Sequence, residues 1–158
     1  MRQTDFSRKE RGTQLVEFAI ILPMLVLMFF VVTEGTAMIR VHQVLNNAAR
    51  EGARLATSDA ANAVYGTDPT KTQVRNQIIA QVKSYVSVNM KGYDDTKITV
   101  TISPDKVLVT NPNTGVAMAT TVVTVQYQYA LQYLPAFSLG IVSNTFNLGA
   151  KAQFRNLN

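Results

Sequence analysis

The side chains in this sequence that are able to do chemistry are few and widely separated. The single histidine, His42, has no carboxylate or cysteine at metal-ligand spacing, and the chain contains no cysteine. Zinc sites and base-activated nucleophiles therefore lack the groups that they require. The pair Asp94-Asp95 lies in a turn-like stretch and is too small for a calcium loop or a carboxylate dyad. We expect a structural protein without metal or cofactor, not an enzyme.

The charge of the chain is modest and unevenly distributed. The net charge is +5 over 158 residues, and four of the 15 basic residues fall in the first twelve positions. There, Asp5 and Glu10 are outnumbered by four basic residues, which are Arg2, Arg8, Lys9 and Arg11. The remaining charge is spread without a dense basic tract of the kind that nucleic-acid-binding proteins carry. We expect no nucleic-acid partner.

A long apolar run follows the basic start. Residues 18–32 contain no polar side chain, and a helix over residues 13–33 rises about 30 Å, the thickness of the hydrocarbon layer. Because the basic residues precede this run, the amino terminus is predicted to be cytoplasmic and residues 34–158 extracytoplasmic. The alternative is a secretory signal peptide cleaved near Gly35-Thr36-Ala37.

Two residues are unusual for a simple anchor. Pro23 interrupts the run and would kink or loosen a helix, although membrane helices tolerate proline. Glu17 places a carboxylate in the apolar stretch, at a cost of up to about 3 kcal/mol at mid-membrane and less near an end. Either Glu17 reaches the headgroups from its position one turn inside the boundary, or it has a partner.

The residues around Glu17 resemble a known processing site. Gly12-Thr13-Gln14-Leu15-Val16-Glu17-Phe18 is similar to the site of type IV pilin-like proteins, where a basic leader and a glycine precede a glutamate that opens an apolar helix. The resemblance implies that a prepilin peptidase cleaves after Gly12 and leaves Thr13 as the new amino terminus. It further implies that Glu17 pairs with that terminus in a neighbouring subunit, while Phe18 and Pro23 belong to the packing segment.

A second resemblance extends over the first third of the chain. The run from Gly12 is followed by Glu34-Gly35 and by AAREGARLA at residues 48–56, and together these features resemble the TadE-like family. The family consists of pseudopilins or minor pilins of the bacterial tight-adherence (Flp) pilus machinery. The resemblance implies a single-pass inner-membrane protein that works with other pilin subunits, pilus-assembly membrane proteins and membrane lipid. Surface adhesion and bacterial secretion are the processes that it suggests.

A helical rhythm continues beyond the apolar run. Small or apolar residues at spacings of three and four predict one packed stripe, at Met38, Val41, Leu45, Ala48, Gly52 and Leu55. Ala48 and Gly52 permit close backbone approach and are candidates for subunit packing. A continuous helix over residues 13–56 would be about 65 Å long. The flanking Arg50, Glu51 and Arg54 form either a solvated face or a subunit contact.

The rest of the chain predicts an α+β fold with an antiparallel sheet of about four strands. Asp68-Pro69 caps a second helix over about residues 69–89. Period-two alternation then predicts strands at 97–102, 107–110, about 119–133 and 146–154, with loops at 58–67, 103–106 and 111–115 and an apolar connector at 135–143. Tyr127, Tyr129 and Tyr133 belong to the core or its rim, or else form an adhesive surface.

The predicted organisation is a leader over residues 1–12, a transmembrane helix over 13–33 and an extracytoplasmic domain over 34–158. The alternative to a pilus subunit is a signal-anchored binding protein of the same topology that never assembles. A secreted hydrolase would require a catalytic constellation that this sequence does not contain.

Overall fold

The computed structural model describes residues 5–57, 69–103, 107–110, 117–132 and 144–155. Its two helices are α1 (Asp5–Ala56) and α2 (Pro69–Asn89), and its strands are β1 (Ile98–Ile102), β2 (Val107–Thr110), β3 (Ala117–Ala130) and β4 (Thr145–Arg155). The chain divides into two compact units. The first unit comprises residues 1–37 and 131–144, and the second unit comprises residues 38–130 and 145–158.

Helix α1 begins before the predicted membrane segment. It includes the end of the predicted leader and continues through Pro23 to Ala56, so the continuous helix predicted over residues 13–56 is confirmed. The residues after the apolar run also keep to the helix. Thr33 Oγ1 donates to Phe30 O and Thr36 Oγ1 donates to Val32 O, each at 2.9 Å, so both hydroxyl groups are satisfied by the helix itself.

The sheet is antiparallel and β3 is its central strand. β4 pairs with β3 along Thr120–Ala130, whereas β1 pairs with Val123–Tyr127 and β2 with Ala117–Thr120. Because a strand has only two edges, β1 and β2 follow one another along the edge opposite β4. The α+β class and an antiparallel sheet of four strands are therefore confirmed, in a sheet that is three strands wide. β3 is shorter at its end than the predicted strand over about 119–133, because it stops at Ala130 and leaves Leu131 and Gln132 outside the sheet.

Side chains along β3 alternate as its sequence predicts. Val123, Val125, Tyr127 and Tyr129 are buried, and the intervening Gln126 and Gln128 are exposed. One face of the strand therefore belongs to the core and the other to the surface. The beginning of the strand differs, because Thr120, Thr121 and Val122 are all buried in succession. Thr120 is reached there by Gln153, whose Nε2 donates to Thr120 Oγ1 at 2.9 Å.

The core of the second unit combines both helices with β3. Seven positions of α1 in this unit are buried, and they are Val41, Leu45, Ala48, Ala49, Gly52, Ala53 and Ala56. They include four of the six predicted stripe positions and further alanines, whereas Met38 and Leu55 are only half-buried. The buried positions of α2 are Ile78, Val82 and Val86. α2 has the range predicted from the sequence. The predicted loops at 58–67 and 111–115, the turn residues 104–106, the connector at 135–143 and Tyr133 lie outside the described residues.

Candidate membrane and assembly segment

The first half of α1 exposes apolar side chains on every side. All described residues from Gly12 to Phe29 are exposed, and Met24 reaches 77%. Water does not stabilise a helix that is apolar all round, so such a helix requires lipid or other protein around it. Among the described residues, α1 is the one helix that is long and apolar enough to cross a membrane.

Gly12 has no structural reason in the fold to be glycine. It lies within α1, and a Cβ atom added to it would meet nothing within 4 Å. Glycine inside a helix costs up to about 1 kcal/mol relative to alanine. Packing within the chain therefore does not require the missing side chain. The role of Gly12 in processing, together with that of the exposed Thr13, stays a prediction.

Glu17, Phe18 and Pro23 all lie on the exposed half of α1. Glu17 follows Thr13 by one helical turn, and none of the ion pairs formed among the described side chains includes its carboxylate. Pro23 is accommodated within the continuous helix. The structure therefore leaves these three side chains accessible to neighbouring molecules, and their predicted part in assembly stays a prediction.

Ala48 and Gly52 lie elsewhere, inside the core of the second unit. A Cβ atom added to Gly52 would stand 2.6 Å from Val82 Cγ2 and 3.2 Å from Val123 Cγ1, and Ala48 is fully buried. Gly52 therefore gives α2 and β3 room to approach α1. The close backbone approach predicted from the sequence therefore occurs between elements of the same chain. The predicted role of these two residues in packing between subunits stays a prediction.

A buried carboxylate stands just beyond the apolar run. Glu34 is 1% exposed, and the backbone N–H of Gln132 donates to both its Oε1 and Oε2 at 3.1 Å. Burying a carboxyl group is costly unless hydrogen bonds compensate for the water that it loses. Glu34 therefore ties the chain immediately after β3 to α1.

Sequence reasoning noticed Glu34 only as part of the Glu34-Gly35 pair and did not count it among the site residues. The one feature of the sequence that could have marked Glu34 as a site residue is its position, since it is an acidic residue just after an apolar run of membrane length. Its partner is 98 positions further along the chain. A second hydrogen bond lies next to this one in the chain, where Leu131 N donates to Asn144 O at 2.9 Å.

The acidic pair Asp94-Asp95 is part of a polar turn between α2 and β1. Asp95 accepts from Tyr93 Oη at 2.7 Å and from Lys83 Nζ, while Asp94 accepts from Thr96. These bonds lower the pKa of both carboxyl groups. For Asp95, the hydrogen bond from Tyr93 is the largest cause and the hydrogen bond from Lys83 is the second. Burial, followed by the bond to Asp95, raises the pKa of Tyr93. The carboxylate oxygens therefore stabilise the turn.

The charged flank of α1 is a surface feature. Arg54 Nη2 and Nε donate to the two carboxylate oxygens of Glu51 at 2.6 and 3.0 Å, and this hydrogen bonding lowers the pKa of Glu51. Arg54, Arg50 and His42 are exposed, and Glu51 is half-buried. Exposed ion pairs contribute little to stability because water and salt screen them. The groups of three or more metal-ligating side chains that a metal centre needs do not occur among the described residues.

The family model of TadE-like proteins matches residues 12–54. This segment is TadE-like. The resemblance inferred from Gly12, Glu17, Glu34-Gly35 and residues 48–56 is thereby confirmed, and the TadE-like segment coincides with most of α1. It includes both the exposed apolar half and the half that enters the core, together with Glu34. No curated protein and no solved structure matches the chain.

Proposed function

We propose that this protein is a membrane-anchored pseudopilin or minor pilin of a tight-adherence (Flp) pilus. The observation that carries the proposal is the combination, in one helix, of a TadE-like match with an apolar surface exposed on every side. A pilus subunit needs such a helix twice, first to remain in the membrane and then to pack against other subunits. The same surface serves both environments because each of them is apolar.

The proposed topology follows from charge. Basic residues before the apolar run hold the amino terminus in the cytoplasm of a bacterium, and α1 crosses the inner membrane once. The sheet and α2 then form a periplasmic domain that can be carried into a surface pilus. Membrane lipid, other pilin or pseudopilin subunits and pilus-assembly membrane proteins are its proposed partners.

A prepilin peptidase is the proposed processing enzyme, and the bond after Gly12 is the proposed cleavage site. Support comes from a glycine that packing does not require and from the exposure of Gly12 and Thr13. Cleavage removes the basic leader and creates an ammonium group at Thr13. The mature chain then begins with a positive charge next to an apolar surface, which increases its need for a nearby anion.

Glu17 is the proposed anion for that charge, acting between subunits. Its exposure on the apolar half of α1 leaves it accessible to a neighbouring chain. Pairing a carboxylate with an ammonium group lowers the cost of holding both away from water and fixes the axial register of the two helices. Phe18 and Pro23 are proposed to lie in the same contact.

The proposed role is structural, and adhesion would follow from the assembled pilus. Tyr127 and Tyr129 do not support an adhesive patch, because both side chains are buried in the second unit. The polar turn at Asp94-Asp95 likewise has its carboxylates engaged within the fold. We propose no enzymatic activity and no cofactor for this chain.

The test compares Glu17→Ala with Glu51→Ala in cells that assemble the pilus. Both changes remove a carboxylate from α1, but only Glu17 lies on the exposed apolar half, whereas Glu51 is paired with Arg54 within the chain. We expect Glu17→Ala to reduce surface pili and attachment while the protein stays in the membrane, and Glu51→Ala to leave both unchanged. Normal piliation in the Glu17→Ala strain would favour the alternative, an anchored binding protein that does not assemble.

A further inference from the structure

The exposed, uncharged surface of α1 does not stop at Thr33, where the predicted membrane span ends. Side chains at spacings of three and four form one exposed stripe across that position, and they are Leu25, Phe29, Val32, Thr36 and Ile39. Val32 is 58% exposed before Thr33, and Ile39 is 60% exposed after it. The hydroxyl of Thr36 donates to Val32 O, so it does not require water as an acceptor.

The one charged residue in this region does not belong to the exposed surface. Residues 18–39 contain a single charged side chain, Glu34. Glu34 is 1% exposed, and its two carboxylate oxygens accept from the backbone N–H of Gln132. The exposed surface of α1 therefore carries no charge over residues 18–39. It is bounded by two exposed charged residues, Glu17 before it and Arg40 after it.

The length of this uncharged surface matches a bilayer. Residues 18–39 rise about 33 Å, close to the hydrocarbon thickness of about 30 Å, whereas residues 18–32 alone rise about 22 Å. The predicted span over residues 13–33 reaches the same thickness only by placing Glu17 in lipid. That costs up to about 3 kcal/mol at mid-membrane and less near an end. A span over residues 18–39 exposes no charge to lipid.

Arg40 stands at the outer end of the uncharged surface. It is exposed, and none of the ion pairs formed among the described side chains includes it. Side chains of a helix lean toward its N-terminal end, so the guanidinium group of Arg40 is directed back toward the membrane. The headgroup layer is about 5–7 Å thick, and a guanidinium group binds phosphate through two parallel N–H bonds. Arg40 therefore has the position and the chemistry to bind a lipid phosphate.

We propose that the exposed stripe of α1 lies in lipid as far as Ile39 and that Arg40 binds headgroup phosphate at the outer surface. Glu17 then lies at the inner surface until subunits assemble, and the fold shields the Glu34 carboxylate from lipid. A neighbouring subunit would also cover an apolar stripe. Lipid is favoured because the uncharged length equals the hydrocarbon thickness and continues the proposed membrane surface. The inference rests on the proposed single-pass topology and deepens it by moving the outer end of the span from Thr33 to Ile39.

The chain contains no cysteine, so a single introduced cysteine carries a single nitroxide label. Three full-length variants, Phe29→Cys, Ile39→Cys and Asn47→Cys, are labelled and reconstituted into vesicles of phosphatidylcholine and phosphatidylglycerol. All three positions are exposed in the fold. Electron paramagnetic resonance compares the collisions of each label with oxygen, which concentrates in lipid, and with a water-soluble nickel chelate. We expect oxygen to dominate at positions 29 and 39 and the chelate to dominate at position 47.

The outcomes separate this inference from the proposed function. If the chelate dominates at position 29, the membrane anchor fails and the proposed function fails with it. If oxygen dominates at position 29 and the chelate at position 39, the anchor stands and the longer lipid contact is overturned. A label at position 39 that both reagents fail to reach also overturns it, because protein and not lipid then covers Ile39. Spectral broadening that unlabelled protein reverses would identify a second copy as that cover.

The role of Arg40 is tested in the Ile39→Cys background by comparing Arg40→Glu with Arg50→Glu. Arg50 is also exposed, but it lies about 15 Å further along the helix and beyond the headgroup layer. We expect Arg40→Glu to shift the label toward the chelate, and to shift it more in vesicles that contain phosphatidylglycerol, because anionic headgroups repel the new carboxylate. Arg50→Glu should leave the label unchanged. Equal shifts in the two variants, or a shift that phosphatidylglycerol does not increase, would contradict phosphate binding by Arg40.

Discussion

The two halves of α1 share one backbone conformation and have opposite surroundings. Residues 12–29 are exposed although they include large apolar side chains, whereas the second half buries small residues such as Ala48, Gly52 and Ala53. Apolarity alone therefore does not decide which residues form the core. Small side chains let α2 and β3 approach the second half closely, while the large side chains of the first half are left for lipid or other subunits.

The sharpest test of this contrast makes the same truncation in each half. Leu45→Ala opens a cavity in the core and should lower the free energy of unfolding by about 2–5 kcal/mol. Leu25→Ala is the matched control, because Leu25 is 61% exposed and Leu45 is 0% exposed. Denaturant unfolding in mild detergent, followed by tyrosine signals of the sheet, measures both. Equal losses of stability in the two variants would remove the distinction between the halves.

A pair of glycine substitutions tests the close approach. Gly52→Ala places a methyl group 2.6 Å from Val82 Cγ2 and should destabilise the second unit by about 1–3 kcal/mol, less the gain in helix propensity. Gly35→Ala meets nothing within 4 Å and should be neutral or stabilising. The same unfolding measurement applies. A stabilising Gly52→Ala would show that the contact relaxes freely.

A substitution at Glu34 tests how the chain is held at the boundary between the two halves of α1. Glu34→Ala removes the carboxyl group that accepts from the Gln132 amide, and the loss of this hydrogen bond should cost about 0.5–1.5 kcal/mol. Hydrogen exchange should therefore accelerate at Gln132, while the Val125 amide in the centre of β3 keeps its protection. Unchanged exchange at Gln132 would mean that Glu34 does not hold this segment.

The smallest expected effect concerns pH and the turn after α2. The pKa of Asp95 is lowered in the folded state, chiefly by the bond from Tyr93, so its contribution to stability is present above the ordinary value of 3.8 and is lost as pH falls through the folded value. Asp95→Asn should therefore reduce the loss of stability between about pH 6 and about pH 3. Unfolding midpoints at the two pH values measure this difference. If the difference between the two unfolding midpoints is the same in Asp95→Asn as in the unchanged protein, Asp95 does not contribute to the pH dependence of stability.

Local sequence patterns predicted the elements well because each pattern has one dominant cause. The 3,4 stripe through Val41 and Leu45 and the alternation along β3 both reflect burial of one face, and Pro69 begins α2 because its fixed φ suits the first helical turn. Relations between distant residues were not predictable in the same way. The bond from Gln132 to Glu34 joins positions 98 apart, and the contacts of Gly52 with Val82 and Val123 depend on three separate elements.

The order of the strands in the sheet also could not be predicted from local sequence patterns. Alternation marks a strand but not its neighbours, and only the pairing register puts β1 and β2 on the same edge of β3. For the candidate site, Gly12, Glu17 and the apolar run were found because their chemistry is unusual in sequence. Glu34 was not singled out because an acidic residue at the end of an apolar run has many ordinary explanations.

The central claim is that the exposed half of α1 stays attached to the mature protein and keeps it in the membrane. Intact mass measured separately on the membrane and aqueous fractions tests this claim most directly. We predict a membrane-bound protein whose mass corresponds to residues 13–158. A product found in the aqueous fraction, with a mass that lacks the apolar half of α1, would contradict it.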